Sequence, residues 1–104
     1  MDTYVILRRA GWRTPEEFQE AADRSTAEGE RTPDDVRWIR SYLLAELSGE
    51  LGTVCVFQAS SPEAIRAHAQ RAGLPVDEMV KVADTVIVRP DPVPAAISKE
   101  EEPW

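Results

Sequence analysis

The sequence predicts an α+β domain with the element order βαββαβ, and three observations lead to this prediction. Two segments begin as helices in the same way, with a hydroxyl residue followed by proline and glutamate, at Thr14–Glu17 and Ser61–Glu63. The stretch between them, Val36–Gln58, is rich in aromatic and aliphatic residues and is typical of a β-hairpin. Further extended apolar runs precede the first helix and follow the second, so strands flank both helices.

Length, charge and cysteine content exclude several classes of protein. The chain has 104 residues, which suits one domain. Its net charge is −7 and it has no run of Lys or Arg, so no nucleic-acid partner is expected. No apolar stretch approaches the roughly 20 residues of a transmembrane helix, and the start lacks a signal-peptide pattern. The single cysteine, Cys55, cannot form an internal disulfide. We therefore expect a cytoplasmic protein with no membrane partner.

The first strand is predicted at Thr3–Arg9, where apolar residues stand on both sides of an alternating pattern. Gly11 is expected to end it and to leave Trp12 in a loop. One face of the strand carries Tyr4, Ile6 and Arg8, and the other carries Thr3, Val5, Leu7 and Arg9.

Two helices are predicted from capping signals and a thin apolar stripe. The first runs from Pro15 to about Glu28, and the second from Pro62 to Ala72. The first has one large apolar residue, Phe18, among alanines, so it buries little area. The expected N-caps are Thr14 and Ser61, and the expected stops are Gly29 and Gly73.

The hairpin is predicted to have strands near Val36–Ala45 and Thr53–Ala59. Strict alternation places two sets of residues on opposite faces of its first strand. One set is Val36, Trp38, Arg40, Tyr42 and Leu44, and the other is Arg37, Ile39, Ser41, Leu43 and Ala45.

The last strand is expected in the extended region that begins at Asp77–Val82, with Asp84–Arg89 as its strongest part. Prolines from Pro90 onward prevent further pairing. The chain thus divides into a domain at 1–90 and an acidic, proline-containing, flexible tail at 91–104. The order βαββαβ, with a four-stranded antiparallel sheet and both helices on one face, is the ferredoxin-like arrangement.

Both faces of this sheet carry apolar side chains, whereas a sheet covered on one side should be polar on the other. Something must cover the second face, because monomers rarely expose a large apolar patch. A second copy of the sheet is the economical solution, and it predicts a homodimer that encloses a barrel-like space. The alternative is cover by the tail, through Val93, Ile97 or Trp104.

Three spaced motifs resemble a known family. They are WIRSY at Trp38–Tyr42, TVCVFQASSPEAIR at Thr53–Arg66 and HAQRAGLPVD at His68–Asp77. The chain resembles, over about Tyr4–Pro90, the small bacterial nickel-binding ferredoxin-like proteins, also called domain of unknown function 4242. The resemblance implies a dimeric αβ-barrel and nickel as a possible cofactor. Many members carry a W-x-H-S-Y motif, and here arginine, Arg40, takes the place of that histidine.

The candidate ligand-binding residues surround Arg40. Arginine is always protonated and cannot ligate a metal, but a charge on a covered face needs a partner. That partner is Glu46, an acid of the second subunit or an anionic ligand. The full candidate set is Tyr4, Trp38, Arg40, Tyr42 and Cys55. A cysteine between valines in a strand is usually a small buried hydrophobe, and a nucleophilic role for Cys55 is the less favoured alternative.

His68, the only histidine, is the candidate metal ligand. It is expected either at the surface or edge of the second helix, or as a ligand in a weak site completed by Glu63, Asp77 and Glu78. One histidine and one cysteine per chain cannot fill a nickel or zinc site.

The sequence thus predicts a small dimeric binding protein that holds nickel, another divalent metal or a small molecule at the sheet face. The alternative is a cofactor-independent enzyme, a monooxygenase or isomerase, which rests on fold analogy. A third hypothesis is a protein-interaction module that uses the acidic tail and Trp104. Whether the protein is an enzyme stays open, with binding favoured.

Overall fold

The computed structural model describes residues 1–92 as four strands and two helices. The strands form one antiparallel sheet in the order β2-β3-β1-β4, which is consistent with the ferredoxin-like arrangement. The elements are β1 (Asp2–Trp12), α1 (Pro15–Arg31), β2 (Val36–Ala45), β3 (Leu51–Ala59), α2 (Pro62–Ala72) and β4 (Glu78–Lys81).

The main core lies between the helices and one face of the sheet, which we call the covered face. Tyr4 and Ile6 of β1 pack there with Phe57 of β3 and Ile65 of α2, as the alternation of β1 predicts. The opposite face, which we call the open face, carries the half-buried side chains Val5, Leu7, Val54 and Val56.

Both helices begin where the capping signals predict. Thr14 Oγ1 accepts a hydrogen bond from the Glu17 amide at 3.1 Å, and Ser61 Oγ accepts one from Ala64 at 3.1 Å. Gly73 ends α2 in the left-handed conformation at φ 69°. The expected stop of α1 at Gly29 is wrong, since the helix continues to Arg31. Neither helix in residues 1–92 is long and apolar enough to span a membrane.

A bulge in β2 separates residues that strict alternation places on one face. Trp38 pairs with Phe57, but Arg40 pairs with Val56, so one extra residue, Ile39, lies between them. The inserted residue reverses the side-chain direction of the rest of the strand. Trp38 therefore lies on the covered face, while Arg40 and Tyr42 lie on the open face, and the predicted shared face is wrong.

The last strand, β4 at Glu78–Lys81, lies within the expected extended segment Asp77–Val82, whereas the expected strand at Asp84–Arg89 is wrong. β4 pairs antiparallel with β1, from Leu7 opposite Glu78 to Tyr4 opposite Lys81. The Val82 amide then bonds to the Thr3 carbonyl, close to the beginning of β1. Beyond that point β1 offers almost no backbone for pairing, so residues 82–91 leave the sheet edge.

Trp12 also differs from expectation, because it belongs to β1 instead of a loop. Ala10, at φ 48°, marks an irregularity in β1, after which Trp12 pairs with Leu51. Trp12 is buried and meets the Phe18 ring edge-on at 5.2 Å. The cover of the second face by Val93, Ile97 or Trp104 concerns residues outside the described range.

Candidate functional site

The candidate residues lie on two faces of the sheet. Tyr4 and Cys55 are buried on the covered face, and Trp38 packs half-buried beside them, stacked on Phe57 at 6.0 Å. Arg40 and Tyr42 are exposed on the open face, so no single pocket unites all five candidates.

Arg40 and Tyr42 together hold one carboxylate, that of Asp91. Arg40 Nη1 and the Tyr42 hydroxyl each donate to Asp91 Oδ2 at 2.7 Å. The hydrogen bonds from Tyr42 and Arg40 lower the pKa of Asp91, and the same contacts with Asp91 and Tyr42 raise the pKa of Arg40. Arg40 and Tyr42 on the open face therefore bind a carboxylate, and that carboxylate belongs to Asp91 of the same chain.

Glu46, the intrachain partner considered for Arg40, has other partners. Its carboxylate accepts from Arg9 Nε at 2.8 Å and from the Ala10 amide. These contacts lower the pKa of Glu46 and fix the β1 irregularity to the end of β2. Asp91 was not identified from the sequence because it lies 51 residues after Arg40 and no periodic pattern connects the two.

Residues 82–91 cross the open face and form a wall; we call this segment the arm. Between the arm and the sheet is a groove of about 930 Å³. Its sheet side combines apolar Val5 and Val56 with polar Thr3 and Gln58, and Arg40 and Tyr42 lie at its Asp91 end. This size is in the range of small-molecule sites.

His68 is a core residue, contrary to the expectation of a surface or helix-edge position. It is 2% exposed, and its Nε2 lies 3.0 Å from Ser25 Oγ on α1, while its ring meets Phe57 edge-on. Burial, followed by the positive charges of Arg71 and Arg8, lowers the pKa of His68, so its ring is neutral at pH 7. A serine–histidine pair can serve nucleophilic catalysis, but Ser25 is only 4% exposed and His68 Nδ1 has no hydrogen-bond partner in the described part of the chain.

Arg8 is a second arginine of interest that the sequence reasoning did not select. It is 1% exposed on the covered face, opposite Thr53 in the sheet register. The sequence does indicate a buried Arg8, because strand alternation places it on the same face as Tyr4 and Ile6. A charged residue in a core pattern indicates a buried ion that needs a partner.

Comparison with known proteins places the chain in a family. A family model described as nickel responsive protein SCO4226-like matches residues 4–82. The crystal structure of SCO4226 from Streptomyces coelicolor A3(2) has the same fold, with a TM-score of 0.65 at 21% identity, covering 81% of this chain and 99% of that chain. No curated protein sequence matches the chain. The chain belongs to the SCO4226-like family of nickel-responsive proteins.

Proposed function

We propose that this protein is a small binding protein whose open face holds an apolar molecule with a carboxylate group. Arg40 and Tyr42 bind the carboxylate, and the groove beneath the arm receives the apolar part. The observation that carries this proposal is the convergence of Arg40 and Tyr42 on one Asp91 oxygen, each at 2.7 Å. A charged guanidinium and a phenol are strong donors to a carboxylate.

In this proposal, the Asp91 carboxylate competes with the ligand for the Arg40 and Tyr42 donors. A ligand must displace its carboxylate, and the apparent affinity is reduced by the fraction of molecules in which Asp91 occupies the donors. The Arg40–Asp91 pair is about half-exposed, with side chains 48% and 47% accessible. Exposed ion pairs are weak, so exchange with an external carboxylate is feasible.

Nickel is the second candidate because the family is nickel-responsive. The donor set of residues 1–92 does not fit a nickel site. Within residues 1–92, no three side chains of His, Cys, Asp or Glu gather in a metal-binding group. The single histidine is buried against Ser25, and Arg40 is always protonated and cannot ligate a metal. We therefore favour an organic anion over a metal ion.

We also propose that a second copy completes the groove. The arm covers part of the open face but leaves Val86, Ile87 and Val88 at 85%, 73% and 84% exposure. Ile39 and Tyr42 on the neighbouring β2 are 48% and 45% exposed. Apolar side chains clustered around one groove favour burial against a partner, and a second open face offers a matching surface.

Calorimetry with decanoate tests the ligand proposal. Decanoate has a carboxylate and an apolar chain, and it should bind the wild-type protein with measurable heat. Arg40→Gln should weaken binding at least about tenfold. Asp91→Asn should strengthen it by about two- to fivefold, because an exposed ion pair worth up to about 1 kcal/mol no longer competes for the donors. Arg37→Gln is the matched control on the same strand. Equal affinity in all variants, or no binding to any of them, would refute the proposal.

Size-exclusion chromatography with light scattering tests the dimer separately. The wild-type protein should elute with the mass of two chains at micromolar concentration, and Ile87→Asp should convert it to a monomer. Leu47→Asp, in the fully exposed hairpin turn, is the control that should stay dimeric. A monomeric wild-type protein would rule out the second copy without affecting the Arg40 site.

A further inference from the structure

His68 has a ring nitrogen that the described part of the fold leaves unused. Its Nε2 lies 3.0 Å from Ser25 Oγ, but its Nδ1 is buried without a hydrogen-bond partner among residues 1–92. The side chain is 2% exposed, so bulk water does not solvate this nitrogen. A buried polar atom without a partner is costly, and a group that bonds to it removes that cost.

A groove between the second half of α1 and the beginning of β2 reaches His68. Its volume is about 330 Å³, which is in the range of small-molecule sites. Its walls include Ser25 and Gly29 of α1, Val36 and Trp38 of β2, and His68 of α2. Within residues 1–92, it shares no lining residue with the groove beneath the arm.

The groove exists because α1 presents small residues toward His68. Ser25 and Gly29 are one helical turn apart, so they lie on the same side of α1. A Cβ on Gly29 would come no closer than 3.9 Å to the rest of the described chain, at His68 Cε1, so the space beside Gly29 is open as far as the histidine ring. Because Cε1 is bonded to Nδ1, the unused nitrogen lies at the edge of the ring that the groove reaches.

The polar groups of the groove favour a neutral hydroxyl group. The Ser25 hydroxyl can donate to His68 Nε2 or accept from it, so Nδ1 is correspondingly a donor or an acceptor. A hydroxyl group pairs with either form, whereas a carboxylate only accepts and an ammonium only donates. The lining also includes one acid and one base, Glu30 and Arg37, so it favours neither sign of charge.

The β2 side of the groove suits an aromatic ring. Trp38 is half-buried and stacked on Phe57 at 6.0 Å, which holds its indole ring in place. The indole N–H already donates to Ser41 Oγ at 2.7 Å, so Trp38 offers the groove an apolar surface. Val36 extends this surface.

We propose that this groove is a second binding site, which takes a small phenolic compound. The phenol hydroxyl bonds to His68 Nδ1, and the aromatic ring packs against Val36 and Trp38. This site uses neither Arg40 nor Tyr42, so it goes beyond the function proposed above and does not depend on it.

Nuclear magnetic resonance of the tag-free full chain, labelled at the histidine ring nitrogens, tests this site with phenol as the probe. His68 is the only histidine, so each ring nitrogen gives one signal. Phenol should shift the Nδ1 signal until it saturates, within about 10 mM, for a millimolar Kd. Fluorobenzene has the same ring without the hydroxyl and should shift this signal much less. Equal shifts with fluorobenzene, or no shift of the Nδ1 signal with phenol, would overturn the proposal.

Variants separate this groove from the open face. Gly29→Leu fills the space beside the histidine ring and should weaken phenol binding at least about tenfold. Ala27→Leu, on the exposed side of α1, is the matched control and should leave binding unchanged. Arg40→Gln should also leave the His68 response intact. Unchanged phenol binding in Gly29→Leu, or loss of the response in Arg40→Gln, would contradict this proposal.

Discussion

Replacement of Arg8 by methionine should stabilise the protein, because the arginine is buried with two hydrogen-bond donors left unpartnered among residues 1–92. Two buried donors of Arg8, Nε and Nη2, have no hydrogen-bond partner among residues 1–92. Each such donor costs about 1–3 kcal/mol, and the contact with Cys55 returns part of this. Methionine retains most of the apolar stem, so we expect Arg8→Met to raise the free energy of unfolding by about 2 kcal/mol.

For a domain of this length, about 1 kcal/mol corresponds to a shift of about 4–8 °C in Tm. The expected increase is therefore about 10 °C, measured by circular dichroism and checked by urea unfolding. Arg37→Met is the control, because Arg37 is exposed and its side chain, within residues 1–92, bonds to the Pro33 carbonyl at 3.1 Å and to no other group. It should change stability by no more than about 0.5 kcal/mol.

A decrease in the free energy of unfolding of Arg8→Met would refute this prediction. If Arg8→Met lowers the free energy of unfolding by about 1 kcal/mol or more, Arg8 has effective partners in the fold, and Cys55 and Asp77 suffice to balance its charge. Arg8 would then be a structural ion.

Three further predictions follow from the buried residues and the close approaches of the backbone. The pKa of His68 is lowered in the folded state, so the unfolded chain binds more protons below about pH 6.5. The free energy of unfolding should therefore fall as the pH drops through that value. In urea unfolding, His68→Gln should flatten the dependence of this free energy on pH between about pH 5.5 and 7. Gly52→Ala should destabilise by about 2 kcal/mol, because a Cβ there would lie 2.6 Å from the Arg8 carbonyl oxygen. Gly29→Ala, inside α1 with no contact nearer than 3.9 Å, should instead stabilise by about 0.5–1 kcal/mol in the same assay; equal effects of the two glycine variants, or an unchanged pH profile in His68→Gln, would contradict the packing described above.

The sequence predicts most of the fold because its strongest signals are local. At the start of each helix, a hydroxyl residue, Thr14 or Ser61, is followed by a proline. The hydroxyl group caps the helix through a short-range hydrogen bond, and both predicted helix starts agree with the structure. The boundaries of β2, Val36–Ala45, also agree. These features depend on residues within a few positions of each other, where residue type decides conformation.

The candidate site was harder to predict because it depends on register and long-range contacts. A bulge at Ile39 reverses the face of Arg40 relative to Trp38, and no residue in the motif marks it. The apolar run at Asp84–Arg89 has strong β propensity, but it has no strand to pair with once β4 reaches the start of β1. Propensity alone does not reveal the absence of a partner.

The most direct test of the central claim is calorimetry of tag-free protein titrated in parallel with nickel chloride and with decanoate, using wild-type and Arg40→His variants. We expect wild-type protein to bind decanoate and to give no binding heat with nickel. Arg40→His should lose most decanoate affinity because histidine is mostly neutral at pH 7.5. Nickel binding by the wild-type protein, together with unchanged decanoate affinity in Arg40→His, would contradict the central claim.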